Sequence, residues 1–389
     1  LIKIFKIYKQ RYTGLYKAIN QVITKRPLRH PMSCLVARVK TVDVMRILNQ
    51  RPHRLSPRKH SQASSQKHPT ISLLDLPDDI IRKIIEIYKS LIKYILRDWI
   101  PLNKIRWEFL SSNIYAIDFL SIPKNRVYIN WEFLSQNPNA IDFLTLPINR
   151  GRIDWDELME NPNAIEFICL PCNKIHIYYR KLSGNPNPDA IELLKQMLKV
   201  NPRVADWKTL SGNPYAIDLL TSPEYYENID WAIFSGNIGA IEILKEEYKK
   251  EDSRICWKAL SGNPSAYDIL KEEYAKKKSK IYWKAFSGNP SACDIIRAQL
   301  KKDIKKLRSK ICWKALSGNP SACDILKENI DKIDWMALSY NPNAIHLLEW
   351  KIKHLSGLTD SELKGLKPKE RIDWMGISSN PSIFIAADI

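Results

Sequence analysis

The chain has 389 residues, 44% of them hydrophobic, enough to bury a sizeable core in two or three domains or in one elongated repeat domain. Seven cysteines, odd in number and without regular spacing, exclude a disulfide scaffold and point to a reducing compartment, expected to be the cytoplasm; no run of about 18 apolar residues occurs, which excludes a spanning helix. The net charge of +19 would suit a nucleic-acid binder, but residues 1–71 hold 16 Lys or Arg against one acid, Asp43, leaving 45 basic and 41 acidic side chains for the remainder.

Residues 1–31 precede the first methionine, Met32, and are rich in Ile, Lys and Tyr. They read either as upstream read-through or as a cationic amphipathic segment suited to an anionic membrane or to organelle targeting. Residues 47–70 combine Arg, Lys, His, Ser, Gln and Pro with almost no apolar content. Residues 1–71 are therefore expected to form a disordered basic leader, the one place where nucleic-acid contact is expected.

Residues 72–101 form a second region. Within it LLDLPDDIIRKIIEIY (73–88) resembles the first half of an F-box, through Leu76 and Pro77, the acid at Asp79, and Ile80, Ile81, Ile84 and Ile85 along one helical face. In that family the helix packs onto the small adaptor subunit of a cullin-RING ubiquitin ligase, while repeats downstream select the substrate. The later F-box helices are not recognisable here, and the alternative is an amphipathic helix that caps the N-terminal end of the array that follows.

From residue 102 to 389 one motif recurs eleven times. Examples are INWEFLSQNPNAIDFL from 129, ICWKALSGNPSAYDIL from 255 and IDWMALSYNPNAIHLL from 333. The anchors are Trp107, Trp131, Trp155, Tyr179, Trp207, Trp231, Trp257, Trp283, Trp313, Trp335 and Trp374, which account for ten of the twelve tryptophans. Such regularity marks the anchors as structural, packed between neighbouring repeats, rather than as a stacking platform for single-stranded nucleic acid.

Local chemistry folds each repeat into two short helices. Asn130, Asp154, Asp206, Asp230, Asp334 and Asp373, each just before the anchor, suit the N-cap of the first helix. Gly184, Gly212, Gly236, Gly262, Gly288 and Gly318 are expected to end it in a left-handed cap, and Asn-Pro then starts the second helix, with Asn as cap, worth about 1 kcal/mol, and Pro at the first position. One continuous helix from Trp257 through Leu270 is the alternative. In the second helix Ala140, Ile141, Phe143 and Leu144 share a face and Asp142 points outward. Where the spacing grows, the added residues are charged (KEEYKKEDSR, RAQLKKDIKKLRSK), expected to extend the helix outward without touching the core.

A hairpin this short cannot bury its own apolar stripe, so the repeats must stack. The expected fold is all-α, an α-α solenoid of about eleven helical hairpins, on the order of 100 Å long if uncurled, with atypical end repeats. The motif W-x-x-L-S-x-N-P-x-A-I-x-L-L, with Arg97 to Pro101 ahead of it and Ser378 to Phe384 at its end, resembles the short-helix repeat proteins abundant in giant viruses of protists. That resemblance implies origin and fold.

No phosphate-binding loop, dinucleotide fingerprint, zinc-protease helix or nucleophile elbow is present. Cys169 and Cys172 form a lone C-x-x-C, Cys293 and Cys323 take the place of the repeat Ile, and Cys256 and Cys312 precede the anchor, so all read as packing or cap substitutions and no metal or cofactor is expected. The expectation is a monomeric, non-enzymatic scaffold for protein partners that docks a ligase adaptor through Leu76 to Tyr88. The alternatives are a virion-associated or structural repeat protein, and a nucleic-acid binder acting through residues 1–71.

Overall fold

The computed structural model describes residues 93–387 except 304–308; the leader, and the F-box-like segment with Leu76, Pro77, Asp79, Ile80, Ile81, Ile84 and Ile85, lie outside the described residues. The chain divides into two compact units, Leu1–Ile95 with Ile385–Ile389, and Leu96–Phe384. In the first, the Ala387 N–H donates to the Lys93 carbonyl (2.7 Å). The second holds the array and is all-α. Two short strands, β1 (Tyr94–Leu96) and β2 (Phe384–Ala386), form the sheet seen among the described residues.

Each of the first ten repeats is the expected pair of short helices. Trp257–Leu260 is a single turn, and the second helix opens as a tight 3-10 turn, Pro264–Ala266, before running on as Tyr267–Ala275. Asn263 between them is extended, and its Oδ1 accepts from the Ser265 N–H (2.9 Å), so the single-helix alternative does not hold. All six expected N-caps of the first helix are made, as in Asn130 accepting from Phe133 and Asp334 from Ala337. The core is the Leu or Phe three residues after the anchor, the Ala of the Asn-Pro-x-Ala turn and the Leu or Ile four residues later. Leu260, Ala266 and Leu270, and their counterparts Phe286, Ala292 and Ile296, are wholly buried.

The glycines serve differently from expectation. None of the six has a left-handed backbone, and Gly318 is helical at φ −78°. They sit where neighbouring first helices meet, with room for a small side chain: a Cβ on Gly262 would lie in ordinary contact with the Ala285 Cβ (3.7 Å) and one on Gly288 with that of Ala315 (3.7 Å), and Gln136 and Tyr340 take the same place in other repeats.

What joins the repeats is polar. The motif Asn is buried, and besides capping its own second helix it donates both amide hydrogens backward. Asn137 Nδ2 reaches the carbonyls of Ser111 (3.1 Å) and Asn113 (2.9 Å), and Asn263 Nδ2 those of Ser235 (3.3 Å) and Asn237 (3.0 Å). The motif Ser works in the other direction. Ser261 Oγ donates to the Trp257 carbonyl (2.6 Å) and accepts the Tyr282 N–H of the next repeat (2.9 Å). At Met159, which stands in the Ser position, no such bond forms, yet Asn185 Nδ2 still reaches the carbonyls of Met159 (2.6 Å) and Asn161 (3.1 Å).

The same bonds join the last repeat to the first. Asn113 Nδ2 donates to the carbonyls of Ser378 (3.0 Å) and Asn380 (2.9 Å), the Arg106 N–H donates to Ser378 Oγ (2.9 Å), and helices Trp107–Ser111 and Trp374–Ser379 pack as neighbours. Arg97 adds its N–H to the Ile383 carbonyl (2.9 Å) and its Nε to the Ser382 carbonyl (2.8 Å). The α-α solenoid expected from the motif is thus present, and its curvature, which the sequence leaves open, closes the array in Leu96–Phe384 into a ring of eleven repeats. The length on the order of 100 Å becomes its circumference. In the eleventh repeat Pro381–Ile383 leads into β2 instead of a second helix.

Closure makes a testable difference at Asn113. Asn263→Ala strips the donor from two buried carbonyls as well as a cap, and is expected to cost about 3 kcal/mol rather than the 1 of a cap alone. In a closed ring Asn113→Ala costs about the same, whereas in an open array the first Asn has no repeat behind it to donate to. Denaturation midpoints showing Asn113→Ala to be nearly neutral would contradict the ring.

Candidate interaction surface

The anchors begin the first helix of every repeat, but they are not core. All are half-buried except Trp335, which is 4% exposed. Seven of the rings are covered by the residue three before the next anchor. Tyr128 stacks on Trp107 (4.6 Å between centroids) and His176 on Trp155 (4.0 Å); Arg152 lies over Trp131 (5.2 Å), Arg254 over Trp231 (4.2 Å), Lys280 over Trp257 (5.6 Å), Lys310 over Trp283 (5.5 Å) and Lys332 over Trp313 (5.1 Å). These cation–π lids recur in the sequence as a basic residue in R-I-D-W, R-I-C-W and K-I-C-W, a signal the anchor alignment passes over. They also leave few free aromatic faces.

The charged insertions are not wholly external either. One acid in each turns inward: Glu247, Glu273 and Asp303 are 2%, 1% and 6% exposed. Glu247 accepts the Arg254 N–H (2.9 Å), Glu273 the Lys280 N–H (2.7 Å) and Asp303 the Lys310 N–H (3.0 Å). Each therefore ties the end of a second helix to the backbone of the very residue that lids the preceding Trp. Burial pushes the Glu247 carboxyl up, but its hydrogen bonds with Lys250 and the Arg254 N–H outweigh burial and hold it below the usual carboxylate range.

The cysteines sit apart from any catalytic arrangement. Burial raises the Cys293 and Cys323 thiols, which keeps them protonated. Cys256 and Cys312 take the cap position without making a side-chain cap bond. Cys169 ends the helix Ile165–Ile168, and exposed Cys172 lies by the Arg150 guanidinium (3.4 Å). Among the described residues no group of three or more His, Cys, Asp and Glu could hold a metal, and no helix is long and apolar enough to cross a membrane.

The residue after the anchor is what the ring presents to solvent. It is exposed in all eleven repeats, and its chemistry is sorted around the ring. Glu108, Glu132 and Asp156 make an acidic arc in repeats 1 to 3; Arg180, Lys208, Lys258, Lys284 and Lys314, interrupted by Ala232, make a basic arc in repeats 4 to 9; Met336 and Met375 complete the circle. Compared with known proteins, the chain matches no family model, no curated protein and no solved structure. Its class rests on its own geometry, a closed ring of α-helical repeats.

Two measurements check these contacts. Trp231→Ala is expected to cost about 2 kcal/mol, because part of the ring stays in reach of water under the Arg254 lid, and Leu260→Ala about 3 to 5 kcal/mol; equal costs would return Trp231 to the core. A depressed Glu247 contributes stability that is present above its unfolded value, about 4.3, and is lost as the pH falls through its lower folded value. Glu247→Gln should therefore melt well below the wild type at pH 7 and close to it at pH 3, and a gap that does not narrow in acid would show that the carboxylate is not held ionised.

Proposed function

We propose that the protein is a non-enzymatic scaffold that binds other proteins. One observation carries the reading. The recurring polar groups of the motif, Asn in every repeat and Ser in all but the one with Met159, are spent on joining repeats, whereas the residue after the anchor is exposed in every repeat and differs from arc to arc. A frame built of constant residues that displays variable ones is the arrangement by which repeat proteins recognise partners.

Within that reading, the resemblance of residues 73–88 to an F-box makes the chain a substrate-recruiting adaptor of a host ubiquitin ligase, acting in the cytoplasm of a cell infected by a giant virus. The helix around Leu76 and Pro77 would engage the adaptor subunit and the ring would hold the protein to be modified. The test is recovery of a cullin-RING adaptor subunit with the full chain from eukaryotic lysate. Recovery is expected, with loss on joint Leu76→Ala and Pro77→Ala substitution; no recovery, or recovery indifferent to those changes, removes the ligase link and leaves a structural or virion-associated scaffold.

A further inference from the structure

The scaffold reading leaves the chemistry of the partner open, and the sorted row narrows it. Repeats 7, 8 and 9 present one surface three times over: an exposed lysine (Lys258, Lys284, Lys314), a small residue after it (Ala259, Ala285, Ala315) and a glycine (Gly262, Gly288, Gly318). None of the three ammonium groups has a carboxylate partner among the described residues, although exposed lysines elsewhere are paired, as Lys245 is with Glu242 (2.9 Å) and Lys353 with Glu349 (2.6 Å). The Ala and Gly keep the ground between the lysines low, so an extended chain can lie along it. Beyond Lys314 the row changes to Met336 and Met375, flexible thioether side chains that adapt to apolar partners.

We propose that this arc docks an extended acidic polypeptide segment, its carboxylates on Lys258, Lys284 and Lys314 and its apolar end on Met336 and Met375. Packed helices lie about 8 to 10 Å apart, and a peptide extended as a polyproline II helix, with three residues per turn, advances about 9 Å in three residues and keeps every third side chain on one face, so acids three apart meet successive lysines. A nucleic acid would offer the same negative charge but gains its sequence-tolerant affinity from stacking. Here the Trp257, Trp283 and Trp313 rings are already covered by Lys280, Lys310 and Lys332. The acidic arc of Glu108, Glu132 and Asp156 on the same row also repels a polyanion long enough to follow the ring.

The inference rests on the scaffold reading and is tested apart from it, by fluorescence anisotropy of the full chain with three labelled probes: a peptide with Glu or Asp at every third position and a Leu-rich end, the same peptide with Lys for each acid, and a single-stranded oligonucleotide. The acidic peptide is expected to bind and to weaken as salt rises. Joint Lys258→Glu, Lys284→Glu and Lys314→Glu should weaken it by about tenfold or more with the melting temperature unchanged. The matched reversal Lys277→Glu, Lys278→Glu and Lys301→Glu, at exposed sites off the row, should leave it within about twofold. Because both variants keep the basic leader and share one net charge, equal losses in the two would overturn the proposal. Tighter binding of the Lys-substituted peptide, insensitive to the first variant, would overturn the arc and keep the scaffold; oligonucleotide binding that exceeds the peptide's and is lost with the arc would overturn both.

Discussion

The ring depends on a carboxamide. A buried Asn has two donors and one acceptor site to satisfy, and in this fold all are used at one elbow: Oδ1 caps the second helix of its own repeat, and Nδ2 bridges two carbonyls of the repeat behind. The Ser235 carbonyl lies at the end of a first helix too short to use it, and the Asn237 carbonyl, which already accepts the Ala240 N–H, takes the Asn263 bond as a second one, so the Asn supplies what a helix of a single turn lacks and ties it to the turn that follows. Aspartate would keep the cap and lose both donors, and serine would not reach. The requirement fails visibly at Asn185, where the doubled Asn-Pro-Asn-Pro moves the cap to Asn187 and leaves the Asn185 Oδ1 buried without a partner. The backward bonds survive there, which ranks the joint between repeats above the cap.

Most of the local fold was legible because its causes are local. The N-caps, the Asn-Pro break and the face shared by Ala140 and Leu144 follow from rules that act within a few residues, and the structure has them. Closure was not legible, since it is the sum of small rotations between neighbours, and nothing in the motif states their size. The end repeats differ from the rest and meet where the ring closes: the Ile114 carbonyl accepts from Asn139 (2.8 Å) as a Pro carbonyl does in other repeats, and Phe384 of the last repeat packs against Phe119 of the first.

The tryptophans illustrate a different limit. Periodicity puts them in phase with buried Leu, but phase does not fix depth: all but Trp335 lie at the edge of the core, and most are covered from the next repeat. The cover was visible as the basic residue of R-I-x-W and K-I-x-W, but a cation near a tryptophan reads as surface until the fold brings it over the ring of the repeat before. Glu247, Glu273 and Asp303 escaped notice likewise: in a stretch such as KEEYKKEDSR no local rule says which of several acids turns inward.

Closure also constrains where the repeats can vary. In an open solenoid a longer repeat alters only the local pitch, but in a ring every joint must return the chain to its start, so a change in step at any Asn would have to be undone elsewhere. The sequence respects this. The motif Asn stands six residues after the anchor in all eleven repeats, while the spacing between anchors runs from 22 to 39 because every addition falls after that Asn. Where the additions are charged, an inward acid fastens them back to the start of the next repeat, so the added length leaves the joint undisturbed. The residue after the anchor lies within the constant segment, yet it takes no part in the Ser and Asn bonds of the joint, and Arg180 alone among the described ones is ion-paired with the next repeat, to Asp206 (3.5 Å). Its position is fixed by the ring and its identity is free, and the ring therefore holds a row of eleven side chains in regular order for a partner to read.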